Sequence, residues 1–129
     1  MRTGEVSVAR ILIVDDSPTD IRVLSGMLER AGFQTLSASS AEEGIARARQ
    51  ELPDLILMDV IMPGTNGFQA TRMLSRDPDT SAIPVIIVTT KNMETDRIWG
   101  MRQGAKDFIS KPPGERDLIA RVQALLKPS

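Results

Sequence analysis

Four short stretches carry side chains able to do chemistry: Asp15-Asp16, Asp59, Thr89-Thr90 and Lys111. Each sits at or just beyond the end of an apolar run: Ile11 to Val14, Leu55 to Met58, Val85 to Val88, and Phe108-Ile109. The 129 residues include no histidine and no cysteine, so no imidazole or thiolate can serve as base, nucleophile or metal ligand. Any chemistry must run on carboxylates, hydroxyls, lysine and backbone groups. Three carboxylates gathered together repel and raise one another's pKa unless a cation joins them. An all-oxygen site suits a hard divalent ion, and Mg²⁺ typically takes one or two carboxylates while keeping waters and substrate oxygens. A carboxylate beside such an ion can attack a phosphoryl group and form an acyl phosphate. Phosphoryl transfer asks mainly for positioning and for neutralisation of the equatorial oxygens. Mg²⁺ would take one oxygen, the Lys111 ammonium a second, and the Thr89 hydroxyl with nearby backbone N–H groups the third. Thr89 rather than Thr90 is expected to face the site, because it closes the strand run.

The elements that bring these residues together follow from the alternation of apolar runs with amphipathic stretches. Arg10–Val14, Phe33–Ala38, Asp54–Asp59, Pro84–Thr89 and Asp107–Ser110 predict five strands, short and rich in β-branched residues. Between them lie helical patterns. The first opens on Ser17-Pro18, carries Ile21, Leu24, Leu28 and Ala31 at helical spacing, and stops at Gly32. The second is expected to start in a Ser40-x-x-Glu43 capping box, bury Ile45, Ala48 and Leu52, and end at Pro53. A third holds Phe68, Thr71 and Leu74 after a turn and cap at Asn66-Gly67. A fourth runs from about Thr95 to Gln103 and closes at Gly104. A last one carries Leu118, Ile119, Val122, Leu125 and Leu126. Strands too apolar to be covered on one face only, alternating with helices, predict a parallel sheet sandwiched between helical layers. Ligands of such sheets collect outside the carboxyl ends of the strands, where the chemical residues stand. Residues 1–9 are expected to be a flexible tail, and 10–129 a single domain.

Composition narrows the function classes. A net charge of −1 gives no reason to expect electrostatic attachment to nucleic acid or an anionic membrane. No apolar stretch approaches a membrane span, and the absence of cysteine suits a reducing cytoplasm. Nor does the stretch up to Ser129 hold a helix-turn-helix, so a DNA-binding regulator is not expected.

The stretches Ile-Leu-Ile-Val-Asp15-Asp16-Ser, Leu-Met-Asp59-Val-Ile-Met62-Pro63, Val-Ile-Ile-Val-Thr89-Thr90 and Gly104-Ala-Lys-Asp-Phe108-Ile-Ser-Lys111-Pro112 resemble, in order and spacing, the four signatures of CheY-like response-regulator receivers. The likeness covers about residues 9–127. It implies a flavodoxin-like doubly wound α/β fold, with five parallel strands in the order 2-1-3-4-5 and five helices. It implies Asp59 as phosphoacceptor, with Asp16, Asp59 and the Ile61 backbone carbonyl as Mg²⁺ ligands and Asp15 acting on the ion through a water. Thr89 and Lys111 would contact the phosphoryl oxygens, and the Lys111–Pro112 peptide bond would be cis. A narrower likeness is carried by Met62-Pro-Gly-Thr-Asn-Gly-Phe-Gln-Ala-Thr71-Arg72 and by Ile83 to Lys91 with Glu94 to Gly100. It points to the stand-alone receivers of type IV pilus twitching-motility systems.

The resemblance also implies partners and a switch. The donor would be a CheA-like histidine kinase or a phosphotransfer domain. The output would be a protein target docking on the fourth helix, fifth strand and last helix, with Ile98 and Met101 on that face. The active form would be a monomer or a weak, phosphorylation-dependent dimer. Phe108 stands where the family's mobile aromatic sits; it either turns inward as Thr89 moves toward the phosphoryl group, or is fixed core. Trp99 is expected to be core, with partner contact as the lesser reading. Ile61 and Lys91, two beyond the acceptor and two beyond the threonine, border the path of the hydrolytic water; Ile61 should slow it by bulk and by offering no hydrogen bond. An aspartyl-phosphate hydrolase would need a second acid at position 61, and Ile61 argues against an enzyme of that kind. The chain would catalyse only its own phosphorylation and dephosphorylation. A phosphate sink or a relay intermediate in another two-component pathway is the alternative. A scaffold that only binds partners would have no need of all the acids, Thr89 and Lys111 together.

Overall fold

The computed structural model describes residues 8–126. Most of the expected tail, residues 1–7, lies outside the described residues, as do 127–129. Ten elements alternate along the chain: β1 Arg10–Val14, α1 Pro18–Arg30, β2 Gln34–Ala38, α2 Ala41–Glu51, β3 Leu55–Met58, α3 Gly67–Arg76, β4 Val85–Thr89, α4 Glu94–Arg102, β5 Asp107–Ser110 and α5 Glu115–Leu125. The strands form one parallel sheet in the order β2-β1-β3-β4-β5, the flavodoxin-like winding that the family resemblance implies.

Alternation along the strands divides the core in two. Ile11, Ile13, Leu55, Leu57, Ile86, Val88 and Ile109 point to the face covered by α1 and α5, where they meet Leu24, Leu28, Leu118 and Val122. Leu12, Val14, Ile56, Met58 and Val85 point the other way, against Ala41, Ile45 and Ala48 of α2 and Ala70 and Leu74 of α3. Ile87 and Phe108, neighbours across β4 and β5, join Phe68, Val60 and Ala105 beneath α4. Burial of apolar surface at roughly 25 cal/mol per Å² supplies the driving force, and the two-faced apolar strands leave no other arrangement that buries both sides.

The starts of α1 and α3 are built as expected. The Ser17 hydroxyl accepts from the Asp20 amide with Pro18 in the first turn, and Asn66 and Gln69 cap α3 reciprocally. Three expectations are corrected. Ser40 does cap α2, but the Glu43 carboxylate turns to the Ser39 amide (2.8 Å) and hydroxyl, so the reciprocal half of the capping box goes to the residue before. Leu52 is exposed rather than inward: it is the C-cap of α2, at φ 47° and ψ 61°, and the left-handed turn throws its side chain off the inner face. Trp99 is 49% exposed rather than core. The buried face of α4 is Asp96, Gly100 and, just past the helix, Gln103. Gly100 lies so close to the core that a Cβ there would stand 2.8 Å from Ile87 Cδ1 and 3.3 Å from Phe68. A neighbouring indole has no room beneath a helix seated that tightly.

Candidate functional site at the carboxyl edge of the sheet

The sheet register places the acids. Val14 of β1 is paired with Met58 of β3, so Asp15 and Asp59 leave adjacent strand ends side by side. Backbone bonds extend the ladder past both: the Asp15 amide donates to Ala38 O (3.0 Å) and the Asp59 amide to Val14 O (2.9 Å). On the other side the Lys111 amide donates to Thr89 O (2.9 Å), which carries β5 one residue beyond Ser110. By strand alternation Asp15, Asp59 and Lys111 continue the rows of Ile13, Leu57 and Ile109, all on the α1 and α5 face. The shared parity is why three side chains from three strands meet.

Their meeting is close. Asp15, Asp16 and Asp59 each offer a carboxylate oxygen, and those atoms lie within 4.8 Å of one another. Asp15 is 1% and Asp59 7% exposed, whereas Asp16 is open to solvent. The Lys111 ammonium donates to Asp15 Oδ2 at 2.7 Å, to Asp20 Oδ2 at 2.8 Å and to Asp59 Oδ2 at 3.2 Å. Asp15 Oδ1 accepts from the Ser17 amide (2.9 Å), and Asp59 Oδ1 from the Ile61 amide (3.3 Å). Burial pushes the Asp15 carboxyl above its usual range, helped by the nearby Asp59 charge and opposed by the Lys111 and Ser17 hydrogen bonds. Burial alone would pull the Lys111 ammonium down; the hydrogen bonds to Asp15 and Asp20 and the charges of Asp59 and Asp15 outweigh it, so it stays protonated well beyond the ordinary lysine range. One ammonium among four carboxylates leaves the site short of positive charge. An all-oxygen cluster with a surplus of negative charge, and with Asp16 open to solvent, could hold a hard metal ion.

The remaining residues named from the sequence are more scattered. Thr89 is fully buried at the end of β4 and its hydroxyl accepts from the Lys91 amide at 3.2 Å, while Thr90 is exposed. The Lys91 ammonium is 3.3 Å from Asp96 of α4. Ile61 is 53% exposed at the mouth of the site. Phe108 is buried in the inward position, packed with Val60, Phe68, Ile87 and Ala105, and Ile98 and Met101 are exposed on α4. The Lys111–Pro112 bond is cis. Behind Asp59, Gly67 opens α3 hard against the sheet edge: a Cβ there would overlap the Asp59 carbonyl oxygen and lie 2.8 Å from Val60 Cα.

Asp20 is the residue of the cluster that sequence reading missed. An acid in the first turn of a helix reads as a partner for the helix dipole, and nothing in the linear pattern points it at Lys111, 91 residues away. Its place three residues after the Ser17 cap, in the first turn of the helix that follows β1, was the only available signal.

The pattern of the response regulator receiver domain matches residues 11–123. Protein PilH of Pseudomonas aeruginosa strain PAO1 is 59% identical over 119 residues, spanning 92% of this chain and 98% of PilH. Response regulator PleD of Caulobacter vibrioides is 41% identical over 119 residues, 92% of this chain but 26% of PleD. Among solved structures, a putative response regulator from Chloroflexus aurantiacus J-10-fl superimposes with a TM-score of 0.89 at 31% identity, over 93% of this chain and 98% of that one.

Proposed function

The chain belongs to the response regulator receiver family, and from that premise we propose that it is a phosphorylation switch in which Asp59 accepts a phosphoryl group from a histidine kinase or phosphotransfer domain. The observation that carries the proposal is the convergence of Asp15, Asp16, Asp59 and Lys111 at one sheet edge. Mg²⁺ fits the oxygen donors and the surplus negative charge; Asp16, Asp59 and the Ile61 carbonyl would hold it, with Asp15 behind them. When bound, it neutralises charge on the transferring phosphoryl group.

The chain's own residues do the rest. An Asp59 carboxylate oxygen attacks phosphorus; the P–N bond to the donor imidazole breaks, its electron pair leaves with the imidazole, and a P–O bond to Asp59 forms. Asp15 fixes the Lys111 ammonium over that oxygen, where it neutralises an equatorial phosphoryl oxygen. Thr89 exchanges its contact with the Lys91 amide for a second phosphoryl oxygen. That movement draws on the β4 end, next to the Phe108 pocket and α4, so phosphorylation shifts the population of α4 packings that a target reads. The output is a protein contact at the α4, β5 and α5 face. Identity of 59% to PilH across nearly its whole length supports a place in type IV pilus twitching motility. No helix of the described residues is long and apolar enough to cross a membrane, in keeping with a switch that works in the cytoplasm.

The test is incubation with a small phosphodonor such as acetyl phosphate and Mg²⁺, followed by mass spectrometry. A base-labile, hydroxylamine-sensitive phosphoryl group on Asp59, lost in Asp59→Asn, is the expected result. Undiminished incorporation in that variant would move the acceptor elsewhere.

A further inference from the structure

An ammonium has three N–H donors, and Lys111 spends all three on carboxylates. The two shorter bonds, 2.7 and 2.8 Å, go to Asp15 and Asp20; the longest, 3.2 Å, goes to Asp59, the residue on which a phosphoryl group would form. The two shorter partners differ in how readily each gives up the lysine. Asp15 is 1% exposed, and an uncompensated carboxylate in such a place is strongly disfavoured. The Asp20 side chain is 41% exposed, so water can replace the ammonium there at small cost. Its backbone is fixed all the same, because the Ser17 hydroxyl accepts from its amide at the start of α1. On the α1 side of Lys111 lies a cavity of about 290 Å³, lined by Asp20, Val23, Leu24, Thr90, Pro112 and Pro113, so the ammonium is not pressed toward Asp59 by packing from that direction.

We propose that Asp20 is a positioning residue that draws the Lys111 ammonium toward α1 and competes for it with a phosphoryl group on Asp59. The competition has two parts. Asp20 occupies a donor that a phosphoryl oxygen would otherwise take, and its negative charge stands near a group that carries about two more. Asp20 thereby keeps the phosphorylated state less favourable than the other site residues alone would make it. The inference rests on the phosphoacceptor reading above.

The experiment compares the native protein with Asp20→Asn and Asp20→Glu, using beryllofluoride as the stand-in for the phosphoryl group. Its affinity is measured by amide NMR titration in saturating Mg²⁺, with Mg²⁺ affinity determined separately so that a general charge effect on the metal is removed. Asp20→Asn should bind beryllofluoride about threefold more tightly, in line with loss of one partly exposed ion pair. Its Lys111 ammonium nitrogen signal should shift already in the unliganded protein. Asp20→Glu keeps charge and reach and should retain native affinity. Equal or weaker binding by Asp20→Asn overturns the proposal, and so does an equal gain in Asp20→Glu. A purely structural role would lower the melting temperature without tightening the ligand, which also counts against it. If the native protein takes up no beryllofluoride, the phosphoacceptor reading falls and this inference with it; native binding with an unchanged Asp20→Asn refutes the inference alone.

Discussion

Lys111→Met removes the ammonium and keeps the unbranched stem, so it isolates what the charge does for the unliganded protein. The stem is nearly buried, at 10% side-chain exposure, and methionine fills similar space; packing should change little. The loss falls on Asp15, which is left 1% exposed with one backbone amide as its remaining partner and Asp59 alongside. Two limits bracket the cost. Losing one charge-assisted hydrogen bond to a buried carboxylate is worth about 1.5–3 kcal/mol. Alternatively Asp15 takes up a proton, which at pH 7 costs about 4 kcal/mol, being roughly three pH units above an ordinary aspartate at about 1.36 kcal/mol each. The protein adopts the cheaper course, so the variant should lose about 1.5–3 kcal/mol at pH 7. The pH dependence follows from the same carboxyl. Its folded pKa already lies above the ordinary value, and without Lys111 it lies higher still. The penalty is therefore present above the unfolded pKa of about 3.9 and fades as pH falls toward it, because the folded form then keeps a proton at no cost. Urea denaturation followed by circular dichroism, in a chelator, should show a deficit that is large at pH 7 and small near pH 4. Added Mg²⁺ should narrow the deficit at pH 7, since it supplies the missing positive charge. A variant as stable as the native protein at pH 7, or a deficit that grows on acidification, would refute the view that Lys111 holds these carboxylates together.

Ile61→Asn should shorten the life of the phosphorylated protein by about tenfold, the equivalent of about 1.4 kcal/mol for orienting one water at the exposed mouth; decay in excess Mg²⁺ measures it, and equal rates count against it. Gly67→Ala sets a methyl group against the backbone of Asp59 and Val60, which no rotamer change can relieve, so it should cost about 1–3 kcal/mol in urea melts and lower the rate of phosphorylation as well. On addition of beryllofluoride and Mg²⁺, amide shifts should appear at Ile98 to Met101 and at Phe108, beyond the acid cluster; changes confined to the cluster would break the link between Thr89 and α4.

The strands and the site acids were legible for one reason: parallel strands buried on both faces leave uninterrupted apolar runs, and a charged residue ending such a run marks the sheet edge. Leu55 to Met58 followed by Asp59 says both things at once. Strand parity then carries Asp15, Asp59 and Lys111 to the same side. What stayed hidden depended on three-dimensional accidents of helix seating. Trp99 is large and apolar, which favours burial, yet Gly100 beside it decides how closely α4 approaches Ile87 and Phe68. Leu52 continues the inner-face spacing of α2 but falls one residue past the last helical turn. Asp20 joins the site because the β5–α5 connection brings Lys111 over the start of α1, a proximity that no local pattern encodes.

The half-exposed indole has an optical consequence. Trp99 is the single tryptophan, and the chain has no tyrosine, so near-ultraviolet emission from the whole protein arises essentially from one ring on the outer side of α4. Its wavelength reports the polarity at that one spot, without background from the core or from any label. A partner that covers α4 would take the ring out of water and move its emission to the blue. A partner that seats on α1 beside the acid cluster would leave the colour unchanged. The protein thus carries its own dye for telling which of its two sides has been engaged.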